Sequence, residues 1–515
     1  MRRGSGLSFE SFIGVTSLRR IQIAVFPAAE MLLGLALAQV IATLQVHASN
    51  LSLFAKMTAV AAAGFQPVPN AAVLARLTGF ETAFGGGILF TLSVGAGVSI
   101  LSIAAAWLWT RLRVKPRLAV GCTAGLWAIV MLGMNRQGFD LWVTLYFLLI
   151  PPPVFTLTLN YLEGRNRPSS HRFWLTRGIP LAALALAWFT HYDRSLFIEL
   201  RDHLLLSNPV GKSVNSFYYR YTLYPAEVFK PLNQRQIKAV VFPPAGNDPH
   251  QAAVTKELLQ NDYLPVAAGS KTDLEIEREG GQLRFMHRGG SVMDISVDRF
   301  LAAPRRALDD VSGATDHWGA FRGFTFWCVL MAFPIALYTL AFGWLRLVVG
   351  LVWQERWAEF FTAGACLVLG LGILAHYILS REPAPHPDAI ATTLGSENWQ
   401  KQTAALKAIR EYHLDICDFP GHADLLLTPH PQLRYWLGRA LAESRCPQAS
   451  AELLRLLGDP HLNVRTMALE GLAQRNDRSA VRAVLKYLQD SQEWYEQFYA
   501  YRALRALGWK QSASR

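Results

Sequence analysis

LRYWLGRALAESRCPQASAELLRLLGD (433–459) is followed by VRTMALEGLAQRNDRSAVRAVLKYLQD (464–490). Leu441 aligns with Leu472 and Asp459 with Asp490, both at an offset of 31 residues. Each copy has apolar residues at i, i+3, i+4 and i+7, then a polar break, then a second such run, the pattern of two antiparallel amphipathic helices. A single pair of this kind cannot bury its apolar stripe, so neighbouring pairs must stack. An earlier unit, KQTAALKAIREYH (401–413), and a later one, YEQFYAYRALRALGW (495–509), keep the spacing to within about two residues.

Upstream of this array the composition changes. The chain has 515 residues, of which 51% are hydrophobic and only 17% charged, with a mean hydropathy of +0.19. That is too apolar for a water-soluble chain of this length and predicts a membrane protein. The formal charge of +12 is concentrated beside apolar runs, where Lys and Arg fix orientation in a bilayer, so no nucleic-acid partner is expected.

A crossing needs about 20 mostly apolar residues. The stretches 22–46, 84–110, 118–134, 140–162, 174–191, 323–345 and 358–379 meet that need. The first reads as a retained span rather than a cleaved signal. Arg177 and Pro180 shorten the clean core of the fifth to LAALALAWF, and 346–357 reads as an interfacial turn. Arg2, Arg3, Arg19 and Arg20 precede the first span; Arg111, Arg113, Lys115 and Arg117 follow the second; Arg165, Arg167, Arg172 and Arg177 follow the fourth. The intervening loops carry fewer basic residues, which puts the N-terminus inside. Seven crossings then bring both polar regions out on the periplasmic face of a bacterial inner membrane. The parity inverts if 51–65 crosses or the fifth stretch does not.

The expected fold class is a polytopic α-helical membrane protein of about seven spans, with a small α/β or α+β extracytoplasmic insert and a C-terminal α-solenoid. The expected domains are a membrane region at 1–191, the insert at 192–322, two further spans at 323–380 and the repeats at 385–515. Within the insert, IKAVVFP (237–243) predicts a strand, AAVTKELLQND (252–262) a helix, and 273–297 three short strands joined by Gly-Gly turns. Its expected core includes Val240, Val241, Leu258, Leu259, Ile276 and Phe285.

Several residues stand out as binding candidates. The segment 204–232 gathers Tyr218, Tyr219 and Tyr221 around Arg220, with Asn208, Lys212 and Asn215 just before them. Such a set suits a membrane-interface belt or internal packing more than a glycan or peptide groove. The GKS at 211–213 is no phosphate loop, since the required first glycine falls at Leu206. Glu30 is an ionisable group in or at the edge of the first span, and Pro151, Pro152 and Pro153 must break the fourth.

The opening GDPHLNVRTMALEGLA (458–473) follows the pattern D-P-x-x-x-V-R-x-x-A. It resembles the short HEAT-like repeats of the phycobilisome-lyase type, and the resemblance covers about 120 residues. It implies a curved surface that holds another protein. No cofactor is expected. Cys417 and Cys446 then fall between the helices of successive units, within reach of a disulfide if they face an oxidising compartment. A zinc site with His413 and His422, or two idle thiols, are the alternatives. Cys122, Cys328 and Cys366 lie in spans and are expected to pack as small apolar residues.

The functional expectation is an interaction scaffold in contact with membrane lipid, presenting the repeats to envelope proteins. A transferase acting on a lipid-linked substrate, or a transporter subunit, is the alternative. No catalytic residue can be named from the sequence.

Overall fold

The computed structural model describes residues 26–113, 115–163, 170–191, 196–243 and 248–512. Arg2, Arg3, Arg19, Arg20, Arg165 and Arg167, together with the first residues of the first apolar stretch, lie outside them. The chain forms two compact units. One comprises Met1–Gln45, Gly87–Arg194 and His317–His376; the other comprises Val46–Gly86, Ser195–Asp316 and Tyr377–Arg515.

The first unit is helical. Among the described residues, six helices are long and apolar enough to cross a membrane: Ala28–Ala62, Phe80–Arg111, Arg117–Met134, Leu141–Glu163, Gly319–Gly350 and Trp357–Leu379. The fifth stretch expected from sequence is the shorter apolar helix Trp174–Phe189. The stretch 51–65 forms no separate element, because the first helix continues through it to Ala62. Likewise Phe333–Gly350 takes in the first residues of the expected interfacial turn. The helix at Leu141–Leu149 ends before Pro151–Glu163 begins. The three prolines occupy the first turn of the second piece, where a missing N–H leaves no bond unmade.

Small residues bring these helices together. A Cβ on Gly34 would overlap Ser99, and one on Gly95 would overlap Ala38, so the first helix and Ala96–Arg111 meet nearly backbone to backbone. Two arginines of this unit share one carboxylate. Arg172 Nε and Arg346 Nη2 each lie 2.6 Å from the Glu359 carboxylate, and Arg177 donates to Phe26 O at 2.5 Å while lying over the Phe342 ring. Glu30 stands in the first turn of Ala28–Ala62. Its side chain is buried, with Oε2 lacking a hydrogen-bond partner among the described residues.

The second unit has a mixed five-stranded sheet and a helical array. The strands β1 (Lys238–Val241), β2 (Tyr263–Val266), β3 (Leu274–Glu279), β4 (Gln282–His287) and β5 (Gly290–Ser296) run in the order β2-β1-β3-β4-β5. β1 pairs parallel with β2 and β3, and β3, β4 and β5 form an antiparallel meander. The helix Pro249–Gln260 makes the crossover that a parallel pair requires. YLPV (263–266) is a strand that the sequence reading missed, since four residues behind a helix carry no alternation to detect.

β1 is buried on both faces, and its residues alternate between two cores. Val240 and Phe242 pack with Leu258, Ile276, Phe285 and Phe300 inside the small domain. Ile237 and Ala239, with Val241 beside them, pack instead with the C-terminal helices. Val241 and Leu259, expected in the domain's own core, therefore belong to the shared one.

The repeats are Trp399–Glu411, then Pro431–Glu443 with Gln448–Leu456, then Leu462–Arg475 with Val481–Asp490, then Trp494–Ala506. After Trp399–Glu411 only the 3-10 turns Ile416–Asp418 and His422–Leu427 stand where a second helix would be. Pro420 and Gly421, the latter at φ 87°, stop a helix there. An ion ladder follows the repeat. Arg434 grips Asp459 with two nitrogens, Nη2 at 3.1 Å. Arg465, 31 residues later, donates to Asp459 O at 2.6 Å and to Glu496 at 2.8 Å.

Candidate functional site

Stacking at a 31-residue period repeats every surface position along the array. Arg439, Glu470 and Arg502 therefore come from one face of three successive helices, with Glu443, Gln474 and Arg505 one turn on. These residues form one wall of a cavity of about 870 Å³, and the other wall comes from the small domain: Gln234, Arg235, Lys238, Gln260, Asp262 and Arg305. Met467, Phe498 and Tyr499 also line it.

The cavity is basic. Seven of its lining residues are Arg or Lys and three are Asp or Glu. Arg410 is paired with Glu443 at 2.5 Å, Arg505 with Asp262 at 3.1 Å and Arg235 with Asp273 at 2.9 Å. Among the described residues, Arg305, Arg439 and Arg502 have no carboxylate within ion-pair distance. Arg439 lies over Trp436 and Arg502 over Tyr499, 4.9 and 5.5 Å from the ring centroids. Stacking of this kind holds a guanidinium plane in place while its N–H edge stays available. Burial pushes the Lys238 ammonium down to about 8, against the opposing pull of Asp262 and Asp273. Burial raises the Glu470 carboxyl, in spite of Arg502 and Arg439.

The residues singled out in 204–221 lie elsewhere, and several of them make internal contacts. Asn208 caps Pro209–Phe217 by accepting from Gly211 N at 2.8 Å. Asn215 donates to Asn463 Oδ1 at 2.9 Å in a buried contact, and the Tyr219 ring packs on Tyr495 at 4.9 Å. Burial holds the His430 and His461 imidazoles down, with Lys212 and Arg434 adding to it at both and Asp459 opposing it at His461. Upstream, Asp202 accepts from Trp436 Nε1 at 2.9 Å, and Asp202 O accepts from Gln432 at 3.1 Å. The segment 196–222 is thus fastened to the array at 407, at 432–436, at 463 and at 495, one site per repeat. Burial alone would raise Glu199, but His203 and Lys407 outweigh it and bring its carboxyl down to about 2.

Tyr218 packs edge-on against Tyr219. Arg220 and Tyr221 line a smaller cavity of about 250 Å³ with Arg76, Glu81, Glu493 and Trp494, and Tyr221 donates to Glu81. The sequence reading missed the larger cavity's arginines. Arg439 and Arg502 could have been found as polar residues recurring at the repeat period, whereas Arg305 and Lys238 carry no such signal.

Cys417 and Cys446 come together with Cα atoms 6.4 Å apart and sulfurs within bonding reach. Asp415 caps the same turn, accepting from Cys417 N at 3.1 Å and Arg445 N at 2.8 Å. His422 is engaged with Phe419 O and Glu452. The only group of potential metal ligands among the described residues is Asp415, Cys417 and Cys446, so neither histidine of the alternative zinc set joins it.

A family model described as HEAT repeats matches residues 421–505. The C-terminal region is therefore built of HEAT repeats, modules that in general mediate protein interactions. No curated protein and no solved structure matches the chain.

Proposed function

We propose that this chain is a seven-span scaffold of a bacterial inner membrane, presenting the HEAT array and the small domain together in the periplasm to a protein partner. The basic cavity is the observation that carries the binding role, since it lies on the face that stacked repeats display continuously.

Parity supports the span count. Lys56 pairs with Asp273 at 2.5 Å, Asn70 N donates to Gln497 at 2.8 Å, and Tyr501 donates to Asp262 at 2.5 Å. Residues 46–86, 196–316 and 377–512 must then share one compartment, and the number of crossings between 86 and 196 must be even. Among the described residues three full-length helices lie in that interval, so the short apolar helix is the fourth crossing. Counted from Ser170 through Phe189, it reaches roughly 30 Å at about 1.5 Å per residue, enough to span. The two later helices return the chain to the same side.

The described basic residues support the orientation. Arg111, Arg113, Lys115 and Arg117, then Arg172 and Arg177, then Arg346 and Arg356 all fall at ends that this arrangement makes cytoplasmic. In the oxidising periplasm Cys417 and Cys446 are a disulfide. Alkaline phosphatase fused after Arg515 is expected to be active, and a cytosolic reporter there to be silent; the reverse pair of results refutes the orientation.

A further inference from the structure

We infer that the occupant of the basic cavity is an extended, acidic segment of the partner protein, with carboxylates about six residues apart engaging Arg439 and Arg502. This rests on the cavity being the binding surface and adds the chemistry of what fills it. Among the described residues Arg305, Arg439 and Arg502 have no carboxylate within ion-pair distance, Glu470 standing on the helix between the latter two without pairing with either, while Arg410, Arg505 and Arg235 are each already neutralised. The unspent positive charge is therefore distributed over both walls, Arg439 and Arg502 on the repeats and Arg305 on the small domain. A guanidinium held over an aromatic ring suits a planar, two-pronged carboxylate better than a diffuse counter-ion.

The spacing follows from the stacking. Arg439 and Arg502 stand on helices two steps apart, and packed helices lie about 8–10 Å apart, which separates the two by about 16–20 Å. An extended chain advances about 3.3 Å per residue, so five or six residues bridge roughly that gap. An even interval puts both side chains on one face, which selects i and i+6, and intermediate acidic residues face the opposite wall and Arg305. The side-chain amides of Gln234, Gln260 and Gln474 also line the cavity. Each offers one donor type and one acceptor, which matches the N–H and C=O groups of an extended peptide rather than a bare polyanion.

The test uses the full chain in neutral detergent and a fluorescent twelve-residue peptide with Glu at i and i+6 in a Gly/Ser/Thr background. A matched peptide with Gln at both positions is the control. The Glu peptide should bind, the Gln peptide should bind at least about tenfold more weakly, and Arg439→Gln or Arg502→Gln should each cost about tenfold. Thermal stability should be unchanged in both variants, which separates lost binding from misfolding. Equal binding of the two peptides overturns the proposal. So does polyphosphate or a phosphatidylglycerol vesicle binding more tightly than the peptide with the same arginine dependence. A photo-crosslinking residue in place of Gln474, used in living cells, distinguishes the two levels of inference. Crosslinked protein without peptide binding leaves the cavity as the interface and refutes its acidic ligand; no crosslink and no peptide binding refute both.

Discussion

Replacing Asp273 with Asn tests the co-folding on which the membrane topology depends. Asp273 is 6% exposed and accepts from Lys56 Nζ at 2.5 Å, Arg235 Nη1 at 2.9 Å and Ala239 N at 3.0 Å. Burial alone would raise its carboxyl, but the two cations and the backbone donor hold it below the usual carboxylate range. The Asn variant keeps the shape and leaves two cations facing a neutral amide. Breaking a buried pair in this way costs about 3–5 kcal/mol. At about 2–4 °C per kcal/mol for a unit of this size, Tm should fall by about 6–20 °C. Differential scanning fluorimetry of the detergent-solubilised full chain measures this. The depressed carboxyl also sets the pH sense: its stabilisation is fully present above the unfolded value of about 3.9 and is lost as pH falls through the folded one. Lys56→Cys with Asp273→Cys should crosslink through a short bismaleimide. A Tm within 2 °C of wild type, roughly one kcal/mol or less, together with no crosslink, would refute the contact. The parity argument would fall with it.

Lys238→Met should stabilise the chain at pH 7. A lysine whose folded value is about 8 penalises folding below that value, and the penalty disappears as pH rises toward about 10.4. Wild-type stability should therefore climb over that interval by up to about 3 kcal/mol, while the Met variant stays flat in thermal melts. Reduction, or Cys417→Ser, should cost about 3–4 kcal/mol, from the entropy of opening a loop with 29 residues of separation; equal melting with and without reductant would count against the bridge. Leu469→Ala, at a fully buried position of the shared core, should cost about 2–5 kcal/mol in the same melts.

How much was readable in advance differed between the two parts of the second unit. The array was legible because stacking repeats the apolar stripe, so Leu441 and Leu472, and likewise Asp459 and Asp490, recur at a fixed offset, whereas the ion ladder of Arg434 and Arg465 shares that offset and went unread. The cavity was not, because its second wall comes from residues near 234–238, 260–262 and 305, whose approach is set by tertiary packing of β1 against the repeats. The tyrosine-rich segment was ambiguous for a related reason. Tyr219 and Asn215 have the composition of a ligand groove, and their partners, Tyr495 and Asn463, lie more than two hundred residues away. Aromatic and amide side chains serve internal contacts as readily as external ones.

The fastening of 196–222 along the array has a mechanical consequence. Repeat solenoids act as springs because each module touches only its neighbours, so they fray from their ends and change curvature in small increments. A tether bonded to Trp436, Asn463 and Tyr495 couples modules that are not adjacent. The array should then melt as one block, and hydrogen exchange should find its last helix as protected as its middle.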